Sequence, residues 1–110
     1  MKLDRNNPNS RGRGKYALIN LRKLAAIEDM DLHSGLCSAI VYLQKEGILE
    51  WGEVGSPDEF FVIKLKDYFA DGALLAYAAQ AATADLEWSA EIRKLALRSG
   101  PHHPLCKMPD

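Results

Sequence analysis

Cysteine is scarce: Cys37 and Cys106 are the only two in 110 residues, too few and too far apart for a disulfide framework. That pattern points to a reducing compartment, with a cytoplasmic location as the expectation. Long apolar runs are missing as well. Met1 to Pro8 has no apolar core of the kind a signal peptide needs. The uncharged stretch from Gly72 to Ala84 contains Gln80 and Thr83 and falls short of the roughly 20 apolar residues that span a bilayer. Membrane association is therefore not expected. Motif chemistry is also sparse, for Ser34 and Ser99 lie in no strand-turn-helix elbow, and Gly12 and Gly14 precede no Lys-Ser/Thr helix start. There is no internal repeat, and neither an enzyme nor a cofactor is expected.

What the chain does carry is hydrophobic content of 47% within a single-domain length. The formal net charge of -1 hides an asymmetry. Lys2, Arg5, Arg11, Arg13, Lys15, Arg22 and Lys23 stand against Asp4 at the start, whereas Glu28, Asp29, Asp31, Glu46, Glu50, Glu53, Asp58 and Glu59 stand against Lys45 in the next stretch. Such bipolarity bears on partners and not on fold.

Periodicity divides the chain into a basic arm over residues 1–14, one α+β domain over residues 15–100 and a proline-rich tail over residues 101–110. Tyr16 to Leu21 alternates as a strand does. Leu21, Leu24, Ala25 and Ile27 suit a short helix, and Leu32, Leu36, Ile40 and Leu43 a second one that Gly47 stops. Ile48 to Trp51 and Phe60 to Ile63 are β-prone runs around a turn near Gly55-Ser56-Pro57, which predicts a β-hairpin. This order is that of a winged helix-turn-helix. Asp67 and Asp85 are placed to cap two further helices, predicting a C-terminal antiparallel helical hairpin joined by Thr83-Ala84-Asp85, with Trp88, Ile92 and Leu95 on its buried face. Prolines deny the tail regular structure, so Leu105 and Met108 are expected to pack it on that hairpin.

A DNA-binding regulator is one function this architecture suggests, with Arg11, Arg13 and Lys15 supplying phosphate affinity. Glu50, Glu53, Asp58 and Glu59 on the hairpin argue against it, because acidic groups repel phosphate. These same four residues, with the three cations of the arm, are the candidates for contact with a protein partner. His33, Cys37, His102, His103 and Cys106 form the one metal-like set, since His33 and Cys37 are a helical turn apart and the tail could complete a tetrahedral zinc site. Without a metal, Cys37 is a small core residue.

Glu59 to Asp67, Ala73 to Ala78 and Leu95 to Asp110 resemble the C-terminal half of small uncharacterised proteins of tailed bacteriophages. The resemblance implies a phage accessory protein, acting in the host cytoplasm by binding a host or phage macromolecule, including components of host defence.

Overall fold

The computed structural model describes residues 14–109. They form two compact units, one holding Tyr16–Phe61 and the other holding Val62 onward together with Gly14 and Lys15. The regular elements are four α-helices and one 3-10 turn, with no strand among the described residues.

In the Tyr16–Phe61 unit, α1 spans Leu21–Ala25 and α2 spans Met30–Lys45. Each begins on a side-chain cap: Lys23 N donates to Asn20 Oδ1 at 3.0 Å, and Leu32 N donates to Asp29 Oδ1 at 2.9 Å. Asp29 thus starts α2. That helix ends where the sequence places its stop. Gly47 takes φ 71°, its amide donates to Gln44 O, and Ile48 N donates to Leu43 O at 2.9 Å, the paired bonds of a Schellman motif.

The expected β-hairpin and the α+β class are not found. The chain does turn where the Gly/Pro pattern predicts, through Ser56 N to Glu53 O and Glu59 N to Ser56 O, and the Gly52 backbone lies against the Phe60 ring. No ladder forms on either side of that turn. Register in a hairpin is set by a short loop and by one buried face, and this turn has neither. It takes up the stretch from Glu53 to Glu59, while Phe60 and Phe61, successive residues that a strand would send to opposite faces, are both exposed. The strand expected at Tyr16 to Leu21 is absent for the same reason: Tyr16, Leu18 and Ile19 are all exposed, and Asn20 is used as a helix cap. The winged part of the winged helix-turn-helix therefore has no counterpart here.

The unit beginning at Val62 holds α3 (Ala70–Ala81) and α4 (Leu86–Ala96). Asp85 N donates to Ala81 O, Ser89 Oγ to Ala78 O at 2.7 Å, and Trp88 Nε1 to Tyr77 Oη at 3.2 Å. Positions later in α4 thus meet positions earlier in α3, so the pair is antiparallel. All of the buried residues among those described belong here: Ala70, Ala78, Ile92, Leu95 and Ala96, with Ser89, Ser99 and Gly100. Small side chains on α3 let the helices approach closely. Trp88 is only half-buried. Asp85 caps α4 by accepting from Trp88 N at 2.9 Å, and this bond holds its carboxyl below the ordinary aspartate value. Asp67 does not cap α3. Its carboxylate accepts from Phe69 N at 2.8 Å in the turn before the helix.

The tail is held by its backbone and not by Leu105 and Met108, which are exposed. Gly100 N donates to Leu65 O at 2.8 Å, Lys107 N to Lys66 O and Tyr68 N to Lys107 O at 2.9 Å each, the last two forming a single parallel bridge between Asp67 and Lys107. Gly100–His102 winds into a 3-10 turn despite Pro101, because proline is tolerated at the start of a helix where its missing amide is not needed.

Candidate functional site

The surface with most to offer a partner lies on the Tyr16–Phe61 unit. None of its residues is buried. On α2, Leu32 and Leu36 are one turn apart, with Leu32 53% exposed, and half-buried Ile40 and Leu43 continue the stripe. From Leu32 to Gln44 this helix carries no Asp, Glu, Lys or Arg. Met30, Val41 and Tyr42 add further exposed apolar surface, and the turns beyond the helix expose Ile48, Trp51 and Val54. A helix with an incompletely covered apolar stripe, in a unit without a buried residue, has the composition of a surface that another molecule covers.

Charge frames this surface. Glu50, Glu53, Asp58 and Glu59 are all exposed. Glu53 and Glu59 stand at the outer ends of two consecutive tight turns that meet at Ser56, and Glu59 Oε1 accepts from Gly55 N at 3.1 Å, so its carboxylate partly braces them. Of the three cations expected to act together, Arg11 and Arg13 lie outside the described residues, and Lys15 is exposed.

The metal-like residues are brought together only in part. Cys37 Sγ is 3.8 Å from His33 Nδ1 and 3.9 Å from Nε2, nearly equidistant from both and too far for a directed bond to either. His103 Nδ1 accepts from Leu105 N at 3.0 Å, which engages one ring nitrogen locally. His102 Nε2 lies 3.8 Å from Asp71 Oδ2, and Cys106 is half-buried with a free thiol. Among the described residues no three His, Cys, Asp or Glu side chains gather as a metal ion requires.

One feature escaped the sequence reading: Lys64, Lys66 and Lys107 line an open groove with Asp67, Val62 and Met108. Alternation of Lys64 and Lys66 is the sequence signal that could have pointed to it. Lys107 joins them only through the backbone bridge, a contact no spacing reveals.

No helix among the described residues is long and apolar enough to cross a membrane. Comparison with protein families, curated proteins and solved structures finds no match to this chain.

Proposed function

We propose that this protein is a non-enzymatic binding module whose partner is another protein, received on the apolar stripe of α2 and on the acidic turn beside it in sequence. The observation that carries this reading is that the Tyr16–Phe61 unit buries none of its residues while exposing apolar side chains along a capped helix that is free of Asp, Glu, Lys and Arg from Leu32 to Gln44. Interfaces of this kind combine an apolar centre with a polar rim. Leu32, Leu36 and Tyr42 supply the centre; Glu50, Glu53, Asp58 and Glu59 supply the rim and favour a partner with basic complements. The exposed carboxylates make a phosphate backbone a poor occupant. Arg11, Arg13 and Lys15 add a second, cationic contact in this reading.

The test is photocrosslinking in cells of the source organism, with a benzophenone amino acid at Leu32 or Tyr42 and, as control, at Glu87 on α4. The expected result is one protein adduct from the two α2 positions, resistant to nuclease and missing from the control. Adducts that vanish on nuclease treatment, or equal yield from all three positions, would exclude this reading.

A further inference from the structure

Lys64, Lys66 and Lys107 meet at one groove because the backbone brings them there. Asp67 N donates to Lys64 O at 3.0 Å and closes a turn that contains Lys66. Lys107 N donates to Lys66 O and Tyr68 N to Lys107 O, so the parallel bridge clamps Lys107 across Asp67. The three cations thus stand on hydrogen-bonded backbone within a single compact unit. Lys64 and Lys107 are exposed, and Lys66 is half-buried.

Like charges gathered in this way cost energy unless something offsets them. Neither Lys64 nor Lys66 is ion-paired within the described protein. Asp67 lies on the same groove, but its carboxylate accepts from Phe69 N at 2.8 Å, and it is outnumbered by the lysines. A cleft with an excess of one sign of charge concentrates ions of the other.

The size of the groove and the number of its cations say which anion fits. Its volume of about 370 Å³ lies in the range of small-molecule sites. A carboxylate brings a single charge and would satisfy a single ammonium. A diphosphate brings several charges on adjacent oxygens, which lysines bind as point charges with rotatable donors. A nucleic-acid strand spreads its phosphates singly along its length, so few of them would enter a groove of this size. Val62 and Met108 add apolar wall beside the cations, suited to the organic part of an ester.

We infer that this groove binds the diphosphate group of a small molecule, with Lys64, Lys66 and Lys107 holding its oxygens. The site shares no residue with the surface proposed for α2 and is independent of that reading.

Isothermal titration calorimetry of the full chain with inorganic diphosphate, and separately with ADP, tests it. Saturable binding with a Kd below about 1 mM is expected, weakening as salt is raised. Lys64→Gln, Lys66→Gln and Lys107→Gln should each weaken it at least about tenfold, the loss of a hydrogen bond to a charged group, with helical circular dichroism unchanged. Lys64→Arg keeps the charge and should keep binding, which separates a lost ligand contact from a damaged fold. Lys45→Gln, at the end of α2, removes the same charge elsewhere and should change nothing. ADP binding at least as tightly as inorganic diphosphate would show that an ester is accepted, and weaker binding of ADP would identify the free anion; both outcomes keep the diphosphate as the recognised group. Failure of both probes to bind with a Kd below about 1 mM overturns the inference. So does a loss in Lys45→Gln equal to that in the groove variants, or a single-stranded oligonucleotide held more tightly than either probe through the same lysines.

Discussion

Leu95 and Ile92 share with Ser89 the buried face of α4, and Ser89 is itself bonded to Ala78 of α3. Leu95→Ala should therefore cost about 2–5 kcal/mol, read from urea unfolding by circular dichroism. Trp88 is a different case. It is half-buried with its indole N–H on the Tyr77 hydroxyl, so Tyr77→Phe should cost only about 0.5–1.5 kcal/mol. Gly100 combines two constraints: φ of 57°, and a position from which a β-carbon would lie 2.5 Å from Asp71 Oδ1. Gly100→Ala is expected to destabilise by about 1–3 kcal/mol, and adding Asp71→Ala should recover the steric part and leave the backbone part. Asp85 sets a pH dependence. Its carboxyl is held below the ordinary aspartate value in the folded chain by the Trp88 amide, so its contribution is complete above the unfolded value and lost as pH falls through the folded one. An NMR titration should show the Asp85 carboxyl protonating at lower pH than an unstructured aspartate, and Asp85→Asn should flatten the acid limb of the stability profile.

At the scale of elements, the helices and the open runs differ in what holds them. α3 and α4 bury residues, whereas α2 buries none and rests on its Asp29 cap, its Gly47 stop and its contact with α1. Amide hydrogen exchange follows local burial. The α2 amides should accordingly exchange faster than those of α4 in the free chain. Asp29→Ala removes the bond to Leu32 N and should lower α2 protection by about 0.5–2 kcal/mol. The contrast between Gly47 and the Phe60 to Ile63 run is instructive about legibility. A helix stop is decided within a few residues, so the sequence shows it. A strand is decided by what lies beside it, so β-prone residues alone do not.

For the molecule as a whole, the distribution of burial is the dominant fact: every buried residue among those described lies in the unit beginning at Val62. Apolar surface kept on the other unit at no benefit to the free chain should be removable without loss of stability. Leu32→Asp together with Leu36→Asp should change the unfolding free energy by no more than about 0.5 kcal/mol for each exposed site, while abolishing the crosslink to the partner. A large loss of stability in that variant would show the stripe to be core and not contact surface.

Local chemistry was determined by the sequence itself. Asp29 and Asp85 as caps, Gly47 as a stop, the reversal near Gly55 and the periodicity of the two C-terminal helices each depend on residues within one or two turns. Tertiary structure alone decided the rest, because it depends on distant partners. Whether Ile48 to Trp51 pairs with Phe60 to Ile63, whether Leu105 packs, and whether Lys107 joins Lys64 and Lys66 turn on backbone contacts that no spacing encodes. The acidic contact residues were legible as a composition, but their exposure was not. Hydrophobic pattern says which residues prefer to be covered; only the packed chain shows which of them its own atoms cover, and which are left to another molecule.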